Sequence, residues 1–363
     1  MIRGARVRVV GGGMIGMSVA WQLSKSGAAV TVFEAGRVGQ EASWAGAGML
    51  APGGEISQPS RLSALALESL RMYPDFVAEL SDQSGVPIDF RQCGAFSLAY
   101  SETEADSLHS LASAQSELGI YSEQFSPTRV PGVRAGATAA QYYPEDAVVN
   151  PRDVIRALGT ACRRIGVMIH EGESVTEITD ASAFDITVLA AGAWSDQIKV
   201  ILSGETVTIP KVSPVRGHLI AFDLTASSTD SSICDAIVRH NHTYLFHRSA
   251  NVPGSLVIAG ATSEHCGFDQ TVDGSIAEQL AESAAALMPA LSGCGYSAWT
   301  GLRPATENGQ PVIERLGDSS IWMAYGHYRN GILLAPATAQ LIAKEINQAN
   351  SGTGSPSPGA PRQ

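Results

Sequence analysis

The sequence predicts an α/β protein with two domains, one built on a parallel sheet and the other on a mainly antiparallel sheet. Three observations support this prediction. A glycine-rich turn joins a strand to a helix near the start, a buried strand ends in small residues near position 190, and strands follow one another without helices between residues 215 and 260. The length of 363 residues is also typical of about two domains.

The first element is a strand, a tight turn and a helix. Val7–Val10 runs directly into the glycine-rich stretch Gly11–Gly16. Gly11 permits the sharp turn, Gly13 lets the backbone approach a pyrophosphate, and Gly16 lets the helix pack closely on the sheet. The helix N-terminus presents unpaired N–H groups and a partial positive charge to phosphates. This pattern predicts a dinucleotide-binding turn.

The second strand, Val30–Glu34, ends in an acid. Glu34 lies 18 residues after Gly16, where a carboxylate can accept hydrogen bonds from ribose hydroxyls. A 2′-phosphate would be repelled by this carboxylate, so a free 2′-hydroxyl is expected. The pattern therefore predicts a bound ADP-containing dinucleotide, and it does not distinguish NAD from FAD.

The loop that follows, residues 36–52, is rich in glycine and alanine and has little periodicity. So many small residues indicate backbone that lies against something large and flat. Beyond it, apolar spacing predicts a helix at Arg61–Leu80, a strand at Phe96–Tyr100 and a polar helix at Glu102–Leu118.

The middle of the chain returns to the nucleotide-binding sheet. Asn150 and Pro151 are typical of a helix start, and this helix is expected to run to about Arg164. Short strands are predicted at Val167–His170, Ser174–Ile178 and Asp185–Leu189. The last of these is apolar and leads into the small-residue turn Ala190–Ser195, so it belongs to the parallel sheet.

The second half combines both sheets. Strands are predicted at Val215–Phe222, Thr243–Phe246, Ser255–Ala259, Val312–Ile313 and Ile321–Ala324, and helices at Ser275–Leu287 and Gly331–Ile346. The expected nucleotide-binding domain comprises residues 1–85, 145–214 and 300–347, and the substrate domain comprises 86–144 and 215–299. Residues 348–363 form a low-complexity tail that is expected to be disordered. A chain that passes repeatedly between two domains forms a cleft at their junction, where ligands often bind.

Composition excludes several classes of function. The net charge is −11 and no basic cluster is present, which argues against nucleic acid or an anionic membrane as partner. The five cysteines are scattered without a Cys-x-x-Cys pair, which is typical of reduced thiols and not of disulfides or zinc sites. No apolar run approaches the roughly 18 residues of a membrane span, and the chain enters its first strand without room for a signal peptide. A cytoplasmic protein with no metal site is expected.

Four segments together carry a resemblance: the N-terminal glycine-rich block, Gly192–Ser195, Thr300–Pro304 and Gly326–Thr338. In combination they resemble the D-amino-acid oxidase family of FAD enzymes, over residues 7–346, and within it the bacterial glycine oxidases of thiamine biosynthesis. The resemblance implies a Rossmann-like FAD-binding domain of the D-amino-acid oxidase/glutathione-reductase type, beside an α+β substrate domain. It also implies noncovalent FAD and a homotetramer.

The resemblance implies a set of site residues. The cofactor contacts are expected from Gly11, Gly13, Met14, Ile15, Gly16, Glu34, Ala35, Ala42, Ser43, Ala47, Gly48, Met49, Val175, Gly192, Trp194, His327, Tyr328, Arg329, Asn330, Gly331, Ile332 and Leu333. Substrate contacts are expected from Arg303, Arg329, Tyr244, Met49 and His242. No side chain is expected to act as a catalytic acid or base.

Individual roles follow from the same resemblance. Arg303 would hold a substrate carboxylate as a bidentate fork. The 327–333 segment would stabilise negative charge on the reduced flavin, helped by a helix that begins near Gly331. Arg329 and Tyr244 can equally be structural, and His242 and His327 can contribute backbone contacts alone. Ser263 stands where glycine oxidases can carry an apolar contact, and the segment 263–269 also departs from their pattern, which leaves the substrate preference open.

The implied reaction is oxidative deamination of glycine, or of small amines such as sarcosine or D-alanine. Hydride transfer from Cα to flavin N5 would lead to glyoxylate, ammonia and hydrogen peroxide, and the imino product would supply the thiazole of thiamine. The alternatives are a sarcosine or D-amino-acid oxidase or dehydrogenase of the same family, an NAD-dependent dehydrogenase, and a flavin-fold tRNA-modifying module. The net charge of −11 argues against the last of these.

Overall fold

The computed structural model describes residues 2–224, 233–249 and 255–352. The helices are α1 (Met14–Lys25), α2 (Ala42–Ala45), α3 (Arg61–Ser84), α4 (Glu102–Glu117), α5 (Pro151–Arg164), α6 (Gly274–Leu287) and α7 (Ala335–Gly352). The strands are β1 (Arg6–Val10), β2 (Ala29–Glu34), β3 (Met49–Leu50), β4 (Phe90–Arg91), β5 (Ala95–Ala99), β6 (Glu123–Phe125), β7 (Ala139–Tyr143), β8 (Ala147–Val149), β9 (Met168–Glu171), β10 (Glu177–Thr179), β11 (Ile186–Leu189), β12 (Lys199–Leu202), β13 (Glu205–Val207), β14 (Ser213–Asp223), β15 (Ile237–His240), β16 (Thr243–Ser249), β17 (Ser255–Gly260), β18 (Tyr296–Ala305), β19 (Val312–Arg315) and β20 (Ile321–Tyr325).

The first large sheet has six strands in the order β19-β20-β11-β1-β2-β9. Its pairs are parallel except for β19 with β20, which is antiparallel. Strand β11 consists of four buried residues and β20 of five, as expected for strands covered on both faces. Helices α1, α5 and α7 carry many of the residues that cover this sheet. The prediction that the strand before Ala190 belongs to the nucleotide-binding sheet is confirmed.

The second large sheet has eight strands in the order β18-β14-β17-β16-β15-β5-β7-β6. All neighbours are antiparallel except β15 with β5. The pairing of β14 with β18 extends from Ser213 opposite Ala305 to Phe222 opposite Tyr296, and it brings both segments to the cavity described below. A mainly antiparallel second sheet is thus confirmed. Two smaller sheets, β10-β12-β13 and β3-β8-β4, complete the fold.

Several local predictions were wrong. The predicted strand Ser174–Ile178 is reduced to β10, which leaves the main sheet and pairs with β12. The last helix begins at Ala335 and not at Gly331, because the chain first forms a 3₁₀ turn at Tyr328–Asn330. Pro336 then occupies the first helical turn, the position in which a missing N–H is tolerated.

The ends of other elements also differ from the prediction. Helix α3 continues past Leu80 to Ser84, where Gly85 adopts the left-handed conformation that ends it. Strand β15 was not predicted, since four residues between loops give little periodicity. Helix α7 extends through residue 352, so residues 348–352 are not a disordered tail, and residues 353–363 lie outside the described residues. The domain boundaries given above stay a prediction.

Candidate functional site

One cavity of about 1140 Å³ is lined by residues from both large sheets. It exceeds the range of roughly 300–1,000 Å³ that is usual for small-molecule sites. The turns after β1 and β11, the 36–52 loop, strands β14, β16 and β18, and the segment 324–333 all contribute to its wall. A long ligand can therefore extend from the parallel sheet to the antiparallel one.

The structure brings the sequence-predicted site residues together along this cavity. All of them line it except Gly16. A Cβ on Gly16 would lie 2.0 Å from the carbonyl oxygen of Gly11, so Gly16 serves close packing of α1 against the turn. Sequence reasoning missed other lining residues, for which no motif gives a signal: Glu41, Gly54, Glu55, Arg239, Asn241 and Thr262.

The glycine-rich turn lies between the backbone of Ala190 and the carboxylate of Glu34. Gly11 has a φ of +108°, and a Cβ there would lie 2.3 Å from the carbonyl oxygen of Ala190. The two carboxylate oxygens of Glu34 accept hydrogen bonds from the N–H groups of Gly12 (2.7 Å) and Gly36 (2.8 Å). Each oxygen keeps a further lone pair. Glu34 therefore organises the turn while its carboxylate still lines the cavity, and its contact with a ribose stays a prediction.

Two structural reasons explain why the 36–52 loop is rich in small residues, and the sequence indicated only the first. These residues line the cavity, but their missing side chains also make room for protein atoms. A Cβ on Gly48, whose φ is +100°, would lie 1.9 Å from the carbonyl oxygen of Val149. A Cβ on Gly46 would lie 2.3 Å from Cδ1 of Ile332. The loop is thus pressed between β8 and the segment 327–333.

Arg303 lies on β18 with its guanidinium at the cavity wall. Its Nη1 donates a hydrogen bond to the carbonyl oxygen of Thr262 at 2.8 Å. No carboxylate among the described residues forms an ion pair with Arg303. Burial lowers the pKa of the guanidinium, while the nearby hydroxyls of Tyr244 and Tyr328 oppose that shift. A half-buried cation that has no ion pair within the described part of the chain can accept an anionic ligand group.

The polar residues around Arg303 form a mixed wall. Burial raises the pKa of Tyr244 to about 12, so its hydroxyl is neutral at ordinary pH and can donate a hydrogen bond. Arg329 forms an ion pair with Glu55 at 2.9 Å, which the sequence did not indicate. Its charge is therefore already matched by a carboxylate. His242 is exposed at the edge of the cavity.

His327 and Tyr328 begin the segment 327–333, which lines the cavity. The imidazole of His327 is buried, and its Nε2 lies 3.1 Å from the hydroxyl of Thr338. Burial lowers the pKa of His327 to about 3. Tyr328 has a φ of +48°, which is unusual for a residue with a Cβ, and its hydroxyl lies 3.1 Å from that of Ser263.

The buried imidazole makes stability depend on pH in a defined direction. The native state keeps His327 neutral down to about pH 3, whereas the unfolded chain takes up this proton near pH 6.5. Below pH 6.5 the unfolded state binds more protons, so the free energy of unfolding falls as pH falls. His327→Gln retains a polar partner for Thr338 but has no group that titrates in this range. Between pH 7.5 and pH 5, we expect its free energy of unfolding to fall by about 2 kcal/mol less than that of the wild type. Urea unfolding at both pH values measures this, and equal losses in the two proteins would contradict it.

Among residues 2–224, 233–249 and 255–352, no group of three His, Cys, Asp or Glu side chains could hold a metal ion. In the same part of the chain, no helix has the length and apolar character needed to cross a bilayer. The five cysteines are free thiols.

Known proteins share this architecture. The family model for FAD dependent oxidoreductases (DAO) matches residues 6–345. The glycine oxidase of Geobacillus kaustophilus (strain HTA426) is 32% identical over 365 residues, which cover 94% of this chain and 93% of that protein. A crystal structure of glycine oxidase from Geobacillus kaustophilus superposes with a TM-score of 0.85 at 29% identity and covers 95% of both chains. A bifunctional ThiO/ThiG protein of Synechocystis sp. is 31% identical over 355 residues, covering 94% of this chain and 51% of that protein.

These matches decide between the two dinucleotides that the glycine-rich turn left open. A family model that spans nearly the whole described chain, together with a relative of similar length and the same fold, indicates FAD and not NAD. The chain belongs to the DAO family of FAD-dependent oxidoreductases.

Proposed function

We propose that the protein is an FAD-dependent oxidase of glycine and related small amines. It converts glycine, oxygen and water to glyoxylate, ammonia and hydrogen peroxide. The observation that carries this proposal is the guanidinium of Arg303, which faces the cavity without a carboxylate partner among the described residues. The similarity to glycine oxidases over more than nine-tenths of the chain supports glycine as substrate.

The residues present fit FAD. Gly11 and Gly48 are positions at which a Cβ would collide with the backbone of Ala190 and Val149, and this close packing fixes the two loops in the wall of the long cavity. The turn and the N-terminus of α1 would hold the pyrophosphate, and Glu34 the ribose. The 36–52 loop and the segment 327–333 would lie along the flavin. When bound, FAD would supply the oxidising chemistry, namely acceptance of a hydride from the substrate Cα and transfer of the electrons to oxygen.

The side chains of this protein supply binding and orientation. Arg303 binds the substrate carboxylate, and the neutral hydroxyl of Tyr244 donates a hydrogen bond beside it. The ion pair of Glu55 with Arg329 bounds the polar end of the cavity and leaves room for a small substrate. His327 would contact the cofactor through its backbone, since its imidazole lies 3.1 Å from the hydroxyl of Thr338 and is buried. We assign no side chain as general acid or base, because direct hydride transfer from the substrate Cα would not require one.

The assignment of Arg303 can be tested from the strand beside it. A Cβ on Gly217 would lie 2.2 Å from Nη1 and from Nη2 of Arg303, and these atoms end a flexible side chain that can move. We expect Gly217→Ala to displace the guanidinium and raise KM for glycine at least ~10-fold, while the melting temperature changes little. Gly274→Ala is the control, because nothing lies within 4 Å of its Cβ position. An unchanged KM in Gly217→Ala would argue against Arg303 as the carboxylate site.

A substrate panel tests the reaction itself. Purified protein loaded with FAD is assayed for peroxide with glycine, sarcosine and D-alanine. We expect the highest kcat/KM with glycine. A clear preference for sarcosine or D-alanine would favour the alternative oxidases of the same family. Turnover with an artificial electron acceptor but not with oxygen would favour a dehydrogenase, and no turnover of any of the three substrates would overturn the proposal.

The proposal also covers the biosynthetic role, the cellular location and the oligomeric state of the enzyme. The likeness to bifunctional ThiO/ThiG proteins supports a role in thiamine biosynthesis, with the imino product as the compound supplied. We place the enzyme in the cytoplasm, in keeping with its charge of −11 and scattered cysteines. A homotetramer, expected from the family resemblance, stays a prediction that sedimentation can test.

A further inference from the structure

The proposed reaction does not use the side chains of the segment that follows Thr262. This segment, residues 262–273, leaves β17 and returns to helix α6. It runs beside Gly217 and Arg303, since Arg216 and Glu264 exchange both backbone hydrogen bonds at 2.9 Å. It therefore lies directly next to the arginine that we assign to the substrate carboxylate.

Four charged or titratable side chains form what we call the Glu264 cluster: Arg216, His218, Glu264 and Asp269. Arg216 pairs with Glu264 at 2.8 Å and with Asp269 at 2.6 Å. The imidazole of His218 is fully buried, and its Nδ1 lies 2.7 Å from Oε1 of Glu264. Its Nε2 accepts a hydrogen bond from the N–H of Asp273 at 2.9 Å, so the proton lies on Nδ1 and is donated to Glu264.

Glu264 is the centre of this cluster. Both of its oxygens are used, because Oε2 accepts from Nε and Nη2 of Arg216 while Oε1 accepts from His218 and from the hydroxyl of Thr262. Burial raises the pKa of Glu264, but hydrogen bonds from Thr262, Arg216 and His218 outweigh it and hold the pKa below its ordinary value. The carboxylate is therefore ionised at the pH at which an oxidase is assayed.

Thr262 connects the cluster to Arg303. Its hydroxyl donates to Glu264 and accepts from the backbone N–H of His218 at 2.8 Å. Its carbonyl oxygen accepts from Nη1 of Arg303 at 2.8 Å. This hydrogen bond holds the guanidinium in place. Contacts that fix the position of Thr262 therefore also fix the orientation of the Arg303 guanidinium.

We propose that Glu264 is a positioning residue for the substrate-binding arginine. Through the hydroxyl of Thr262 it fixes the carbonyl group that orients Arg303, and so keeps the guanidinium fork ready for a carboxylate. The inference rests on the proposed function only in so far as Arg303 binds the carboxylate of the substrate.

The segment has other attachments that keep it folded when Glu264 changes. Gln270 donates to Glu41 at 3.0 Å, and Phe268 packs on Trp194 with ring centroids 5.3 Å apart. In a Glu264→Gln variant, Arg216 also retains Asp269 as partner. The variant is thus expected to lose the charge and part of the orientation without losing the fold.

The test measures binding of acetate, a minimal carboxylate, to the FAD-loaded protein. Perturbation of the flavin absorption on titration gives the Kd, and the glycine assay gives KM and kcat separately. We expect Glu264→Gln to raise the Kd for acetate and KM for glycine by about 10-fold each, with kcat changed less than about 3-fold. Glu177→Gln, which removes an exposed ion pair with Lys199, is the matched control and should leave both values unchanged.

A double-mutant cycle separates positioning from a merely structural role. In an Arg303→Met background, Glu264→Gln should change the Kd for acetate less than about 2-fold, because the group through which it acts is gone. Equal effects in both backgrounds, or an unchanged Kd in the single variant, would overturn the inference. If Glu264→Gln does not fold, Thr262→Val removes the same connection and is expected to weaken acetate binding similarly, and unaltered acetate binding there would also overturn it.

The acetate measurement keeps the two proposals distinguishable. If acetate binding depends on Arg303 and is weakened by Glu264→Gln, but the protein does not oxidise glycine, the inference is supported and the proposed reaction is refuted. If the protein oxidises glycine but Glu264→Gln leaves acetate binding unchanged, the proposed reaction is supported and the inference is refuted.

Discussion

Replacing Arg303 with methionine is expected to lower kcat/KM for glycine by roughly 100- to 1,000-fold. The guanidinium is half-buried, faces the cavity and has no carboxylate partner among the residues that the structure describes. Removing it leaves the substrate carboxylate without a charged partner in a partly desolvated site, a loss of about 3–4 kcal/mol. Steady-state kinetics with peroxide detection measures the effect.

Two further variants sharpen this expectation. Arg303→Lys keeps the charge but not the planar fork, so its kcat/KM should fall between the wild type and the methionine variant. Arg129→Met, which removes an exposed arginine outside the cavity, should retain wild-type kinetics. If Arg303→Met behaved like Arg129→Met, the carboxylate would bind elsewhere.

Replacing Gly48 with alanine is expected to give the largest loss of stability and of bound FAD. Gly48 has a φ of +100°, and its Cβ would lie 1.9 Å from the carbonyl oxygen of Val149. The N–H of Val149 donates back to the carbonyl of Gly48 at 2.8 Å, so neither strand can move without breaking the pair. Because the clash is with backbone, no side-chain rotation relieves it. We expect a loss of about 3 kcal/mol or more in the free energy of unfolding, together with a lower FAD content after purification.

The control for Gly48 separates backbone strain from collision. Gly166 also has a positive φ, +89°, but nothing lies within 4 Å of its Cβ position. The free energy of unfolding of Gly166→Ala should therefore fall by only ~1–2 kcal/mol, the strain of a residue with a Cβ in the left-handed conformation. This variant should retain its flavin. Similar unfolding energies and flavin contents for the two variants would show that the contact with Val149 is unimportant.

The parts of the fold that could be predicted are those with short-range signals. The turn at Gly11–Gly16 and the acid Glu34 were predictable because glycine conformation and strand alternation act over a few residues. Arg303 was found through the motif around it, and the structure places it on the cavity wall. The start of the last helix was misplaced, since the choice between a 3₁₀ turn and an α-helix over residues 328–334 depends on how that segment packs in the fold.

The rest of the site depends on residues that are far apart in the sequence. Glu55 and Arg329 are separated by 274 positions, and no pattern around either residue indicates that they pair. The contact of Thr262 with Arg303 depends on the register between β14 and β18, which brings Gly217 opposite Gly301. Such contacts arise from sheet topology, which single-sequence periodicity does not determine.

We propose above all that the cavity holds a flavin next to a carboxylate-binding arginine that orients a small amino acid. The most direct measurement is the visible spectrum of the purified protein during anaerobic addition of glycine. We expect a yellow protein whose absorption near ~450 nm disappears on adding glycine and returns when oxygen is admitted, since an oxidised isoalloxazine ring is the chromophore. A colourless protein that does not take up FAD, or a flavin whose spectrum glycine leaves unaltered, would contradict the claim.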